Sequence, residues 1–82
     1  MWNIYILQSL KDRRYYVGCT NQPIDERVEG HNSGDTPSTK YRRPLVVVYR
    51  ERVQNQEEAF AREKVIKSYK GGNAFKKLVE KN

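Results

Sequence analysis

The chain has 82 residues, with sixteen Lys and Arg against ten Asp and Glu, a formal charge of +6, one histidine and one cysteine. A chain this short buries only about two-thirds of its unfolded surface around one modest core, so it is expected to be one domain over 1–82 with no second catalytic unit. A lone Cys19 excludes an internal disulfide framework and a zinc ribbon and fits a reducing cytoplasm, while the absence of a leader pattern or an apolar run of roughly 20 residues predicts a soluble, unprocessed protein with no membrane partner.

Residues 2 to 8 alternate, with Trp2, Ile4 and Ile6 on one side and Asn3, Tyr5 and Leu7 on the other, a period-2 pattern that predicts a half-buried strand. The polar segment Ser9 to Arg13 is short enough to turn the chain into a second strand over 14 to 20, making a hairpin. If Tyr5 lies opposite Gly18 in that hairpin, Tyr5 and Tyr16 share a face, and the missing side chain of Gly18 is expected to leave a phosphate-sized pocket beside them. Cys19 reads as a small core residue, and Tyr15 and Tyr49 as packing residues.

Pro23 fits the first position of a helix whose first turn carries Asp25 and Glu26 and which Asn32, Ser33 and Gly34 end. Ile24, Val28 and His31 fall at i, i+4 and i+7, so His31 extends the apolar stripe and Arg27 lies one turn before it on an adjoining face. Asp35 to Pro44 has no periodicity and reads as a loop. Leu45 to Tyr49 is a nearly continuous β-branched run, expected to be a strand buried on both faces and the centre of the sheet. Asn55 and Glu58 resemble a capping box opening a helix to about Tyr69 or Lys70; Gly71 and Gly72 break it, and Ala74, Phe75, Leu78 and Val79 predict a short last helix. The order β, β, α, β, α, α describes an α+β domain, a small sheet covered by helices.

Charge favours nucleic acid as partner, although a basic surface also serves solubility alone. On the helix after Asn55, Glu63 falls about 40° from Ala59, inside the apolar arc, where a carboxylate needs a cation, a metal or a donor. Two phenols, a guanidinium, an imidazole and this carboxylate together form a kit for cutting a phosphodiester. Each has a plainer reading as well: Glu63 paired with an arginine, His31 as a hydrogen-bonded core residue, Arg27 laying its stem along apolar surface, and the tyrosines as packing.

The runs Asn3-Ile4-Tyr5, Tyr16-Val17-Gly18 and Arg27-Val28-Glu29-Gly30-His31-Asn32-Ser33-Gly34 resemble the GIY-YIG nuclease superfamily. Tyr41 to Tyr49 and Glu58 to Lys67 are similar to later blocks of its small stand-alone bacterial members, so the resemblance spans nearly the whole chain. It implies a metal-dependent endonuclease with a central three-stranded antiparallel sheet flanked by helices. By position it assigns Tyr5 and Tyr16 as the two motif tyrosines, Arg27 as the arginine that holds the scissile phosphate, His31 as an assisting base, and Glu63 as the ligand of one Mg²⁺ or Mn²⁺. Asn3 stands where the signature has glycine, and Asn73, the nearest counterpart of an asparagine used by larger members, has no matching context.

Those larger enzymes carry a separate DNA-binding domain. Here Lys40, Arg42, Arg43, Lys67 and Lys70 are the expected phosphate contacts, with DNA ahead of RNA and a protein partner as another source of specificity. The alternative on the same fold is a non-catalytic nucleic-acid-binding or adaptor module, and a third is a structural protein with solvated charges.

Overall fold

The computed structural model describes residues 1–34, 42–69 and 72–80. Its elements follow the expected order: strands β1 (Trp2–Ser9) and β2 (Tyr15–Thr20), helix α1 (Ile24–Asn32), strand β3 (Leu45–Val53), and helices α2 (Gln56–Ser68) and α3 (Asn73–Glu80). The three strands form one antiparallel sheet in the order β2-β1-β3.

The centre of that sheet is β1, not β3 as the apolar run Leu45 to Tyr49 suggested. Ile4, Tyr5, Ile6 and Leu7 are all buried, which is the mark of a strand covered on both faces. In contrast β3 continues to Val53 and is buried only at Leu45; the rest is half-buried or exposed, with Val46 open to solvent. Its valines are only partly buried: Val47 packs toward one core, and Val48 and Val53 toward the other.

Helix α1 covers one face of the sheet and helices α2 and α3 the other. Tyr5, Leu7, Ile24 and Leu45 make the core beneath α1, joined by Tyr16, Val28 and Val47. Ile4, Ile6, Ile66 and Phe75 make the core beneath α2 and α3, with Val17, Cys19, Tyr49, Leu78 and Val79 around them. Period-2 alternation along β1 therefore feeds two separate cores from consecutive residues.

In the hairpin, Tyr5 pairs with Gly18 and Leu7 with Tyr16, so the two tyrosines do share the α1 face. Between β1 and β3 the register shifts after Ile6, which pairs with Tyr49 while Leu7 pairs with Val47, leaving Val48 as the extra residue of a bulge.

Local capping fixes the helices to this frame. Asn55 accepts from the Glu58 backbone N–H at 2.9 Å, and the Glu58 carboxylate accepts from the Gln54 N–H at 3.2 Å, one residue before the cap. Pro23 precedes α1 and its carbonyl accepts the Arg27 N–H, so it sits one position earlier than expected. At the other end of α1 the Asn32 side chain clamps the start of β3, accepting from the Leu45 N–H at 2.7 Å and donating to the Leu45 carbonyl at 3.0 Å.

Ser9, fully buried at the end of β1, accepts from the backbone N–H groups of Lys11 and Asp12 and donates to the Arg42 carbonyl at 2.5 Å. It ties the hairpin turn to the chain entering β3. Ser9→Ala leaves that carbonyl and both turn amides without this partner, and should lower unfolding free energy by about 1–3 kcal/mol in a urea titration with little change in slope.

Candidate active site

Tyr5 projects from the central strand onto the α1 face, where α1 brings two polar side chains to its hydroxyl. Arg27 Nε donates to the Tyr5 hydroxyl oxygen at 3.3 Å, and His31 Nε2 lies 3.3 Å from the same oxygen. Both distances are at the long end of hydrogen bonding, as is common before a substrate draws a site together. The phenol and imidazole meet edge to face, with ring centroids 6.0 Å apart. Ile24 and Val28 turn α1 down onto the Tyr5 core, and Arg27 and His31 follow at a spacing of one turn.

Tyr5 and His31 are almost sealed, at 3% and 5% exposure, while Arg27 is half-buried. Burial first, and then the Arg27 charge, holds the His31 imidazole below its ordinary value of 6.5, so it is neutral at neutral pH. Arginine can only donate, so the phenol oxygen accepts from Arg27 and keeps its own proton available to an imidazole nitrogen.

Gly18 does not leave an open pocket beside the tyrosines. The Tyr5 ring occupies that space: a Cβ on Gly18 would stand 2.5 Å from the Tyr5 oxygen and 2.6 Å from Cζ. The missing side chain houses the phenol itself rather than a phosphate.

Tyr16 packs against the same core, and its buried hydroxyl has no hydrogen-bond partner among the described residues. Its proximity is the first of the influences that hold the Arg42 guanidinium above its ordinary range. The Arg42 guanidinium, which also pairs with Asp12, is thus the charged group beside that oxygen.

Glu63 is placed differently. It lies on α2 between Ala59 and Ile66, which are buried on the other face of the sheet, and its Oε1 accepts from Lys67 Nζ at 2.7 Å. Its neighbour in the sheet is Cys19, whose thiol is pushed up to about 12 by burial and then by the Glu63 carboxylate. The helix arginine that could have paired with Glu63, Arg62, instead grips Glu51 at 3.0 and 3.2 Å, and Tyr49 donates to that same carboxylate at 2.6 Å.

The structure thus gathers Tyr5, Arg27 and His31 at one point, sets Tyr16 on the same face, and places Glu63 across the sheet. The two halves still share an address. Gly18 under the phenol and Cys19 beside the carboxylate are consecutive residues of β2, an edge strand, so both groups flank one stretch of free edge from opposite faces.

Among the expected phosphate contacts, Arg42 pairs with Asp12 at 2.7 Å, Arg43 donates to the Asn32 carbonyl at 3.3 Å and Lys67 holds Glu63. Lys40 and Lys70 lie outside the described residues. Asn32, which sequence reading took only as a helix end, sets the distance between α1 and β3; an amide side chain beside the last helical turn was its one signal.

For a metal, the observation that bears is the donor set. Among the described residues no three of His, Cys, Asp or Glu gather into a group able to hold an ion. Glu63 alone offers a hard carboxylate oxygen, which suits an ion that keeps most of its waters, such as Mg²⁺ or Mn²⁺. Its present cation, Lys67, is 56% exposed on a flexible stem, and i,i+4 pairs of this kind contribute only about 0.3–0.5 kcal/mol, so it can be displaced.

The family described as the GIY-YIG catalytic domain matches residues 1–76. A UPF0213 protein of Staphylococcus haemolyticus is 35% identical over 79 residues, covering 95% of this chain and 94% of its own. UPF0213 proteins of Clostridium perfringens and Desulfotalea psychrophila are each 40% identical, over 65 and 68 residues, covering 78% and 80% of this chain and 68% and 60% of theirs. No solved structure matches the chain. No helix among the described residues is long and apolar enough to cross a membrane.

Two measurements check the site. Gly18→Ala forces the Tyr5 ring off its partners and should cost about 1–3 kcal/mol in chemical denaturation. For His31, a folded pKa below 6.5 means that the unfolded chain takes up its proton first as pH falls. The contribution is full above that value and is lost as pH drops through it toward the folded pKa, so the fall in wild-type stability from pH 7.5 to 5 should be smaller in His31→Gln.

Proposed function

The chain belongs to the GIY-YIG catalytic-domain family, a nuclease superfamily whose members generally use divalent metal ions, and from that premise we propose that it is a metal-dependent endonuclease hydrolysing phosphodiester bonds in DNA. The observation that carries this reading is the Tyr5 hydroxyl held between the Arg27 guanidinium and a neutral, buried His31, 3.3 Å from each.

In the proposed reaction a water at the phenol oxygen attacks the phosphorus in line. As the new P–O bond forms, the water proton passes to Tyr5 while the Tyr5 proton passes to His31 Nε2, so no free phenolate has to persist. The guanidinium N–H groups of Arg27 beyond Nε hold nonbridging oxygens of the scissile phosphate and stabilise the charge gathering there. The buried Tyr16 hydroxyl donates to the substrate or to the attacking water. The P–O bond opposite the water breaks, and the leaving oxygen takes a proton from solvent.

Glu63 would hold the divalent ion once Lys67 moves aside. Bound there, Mg²⁺ or Mn²⁺ supplies neutralisation of charge on the phosphate and the leaving oxygen. Because Tyr5 and Glu63 approach from opposite faces, the scissile link is expected to straddle the β2 edge at Gly18 and Cys19. Such a placement suits ends, flaps and branches, where a strand can bend round an edge. An 82-residue body also has little area with which to read base sequence.

A second reading is favoured by one observation, the Lys67–Glu63 pair on the far face: a nucleic-acid-binding module that does not cleave. A cleavage assay on single-stranded, duplex, flapped and branched DNA and on RNA, with Mg²⁺ and Mn²⁺, separates the two. Tyr5→Phe should lower the rate about 10²–10⁴-fold, and Glu63→Ala or a chelator should abolish cleavage while leaving DNA retention intact. Cleavage that is unchanged in Glu63→Ala and in chelator rules out the metal-dependent reading, and wild-type binding without cleavage selects the module.

A further inference from the structure

On the α1 face of the sheet the residues form cross-strand rows. Tyr5 lies between Gly18 on β2 and Arg50 on β3, and the next row is Thr20, Asn3 and Arg52. Arg50 and Arg52 are two residues apart, so they share this face, roughly 6.6 Å apart along β3. Both are exposed, and neither takes part in the ion pairs found among the described residues, which are Arg42–Asp12, Arg62–Glu51 and Lys67–Glu63.

These arginines border an open groove of about 440 Å³ between β1, β3 and the start of α1, with Asn3 as its floor and Asp25 on its rim. Glu51 also borders it, but the Glu51 carboxylate is taken by Tyr49 and Arg62. Two guanidinium groups therefore face one carboxylate, and the groove keeps an excess positive charge. It begins where the Tyr5 row ends, since Arg50 is the direct cross-strand partner of Tyr5.

We propose that this groove is a phosphate subsite for the nucleic-acid backbone adjoining the scissile link, with Arg50 and Arg52 as its ligands and as positioning residues for cleavage. The inference rests on the nuclease reading above for the word adjoining, and on this groove alone for the binding. A planar fork suits phosphate oxygens better than a point charge does, and two forks repeated along a strand suit a polyanion whose charges recur along its own chain. Asn3, the cross-strand partner of Arg52, also lines the groove. It is the residue standing in the glycine position of the family signature, and its Nδ2 already turns outward to the Gln22 carbonyl at 3.4 Å.

The test is a fluorescence-anisotropy titration of a labelled DNA duplex in EDTA across a salt series, followed by steady-state cleavage with Mg²⁺. In Arg50→Ala/Arg52→Ala the slope of log K against log salt should shrink by about 1.8, two phosphate contacts' worth, and KM should rise with kcat held within a few-fold. Arg50→Lys/Arg52→Lys should restore the slope, Asp25→Asn should tighten binding, and the charge-matched pair Arg14→Ala/Lys64→Ala, both exposed and neither lining the groove, should leave the slope unchanged. A wild-type slope in the Arg50/Arg52 alanine variant, or an equal loss in the Arg14/Lys64 variant, overturns the subsite. Should the alanine variant melt early, the lysine and Asp25 variants decide by the same slope. Wild-type protein that binds without cutting removes the nuclease reading and leaves the groove to be judged on its salt slope.

Discussion

Tyr5 reaches both Arg27 and His31 because its ring lies over Gly18, in the volume that any other residue's Cβ would fill. That contact exists only in one hairpin register, and a slip of one residue would carry every β1 side chain to the opposite face. The register is held on three sides: by Ile4 and Ile6 in one core, by Leu7 in the other, and by Ser9 closing the turn. Stability and chemistry are thus set by the same alternation, since the odd positions of β1 supply the phenol and the even ones supply the larger core.

The three-stranded sheet also divides the candidate machinery. The polar group of Tyr5, Arg27 and His31, to which the proposed reaction gives the proton transfer, sits beneath α1, where burial keeps the imidazole neutral. An acidic group sits beneath α2, where Glu63 is satisfied by Lys67 and adds to the burial that raises the Cys19 thiol. Separation has an electrostatic merit: a carboxylate next to His31 would favour its protonated form and remove the acceptor that Tyr5 needs. An edge strand makes the proposed division workable, because among the described residues no strand lies on its outer side, where a flexible phosphate chain would touch both faces.

Much of this was legible in the residues. Alternation in β1 and β2, the apolar stripe of Ile24 and Val28, and the Asn55–Glu58 cap each act over a few residues, so local pattern was enough to give six elements in order. The Tyr5–Gly18 pairing was available as one register among several. The place of β3 was not legible, because a run of valines states a preference for extended backbone and says nothing about which neighbours the strand acquires. Nor was the side of the sheet to which Glu63 turns: helical spacing put it on the buried arc of α2, but which face α2 covers is decided by packing around Ile66 and Phe75. Gly18 was read as a vacancy because the sequence names its missing side chain without naming the ring that fills the space.

The formal charge of +6 hides a division of labour among the cations. Arg42, Arg62 and Lys67 are spent on Asp12, Glu51 and Glu63, and a phosphate would have to compete with those carboxylates for them. Arg50 and Arg52 stand outside these pairs, on the face and in the rows where Tyr5 sits. A polyanion approaching this face therefore meets guanidinium groups outside those pairs beside the phenol. The sequence-level balance predicts attraction everywhere on the surface, and it is the pairing pattern of the folded chain that turns attraction into a direction, along β3 toward Tyr5.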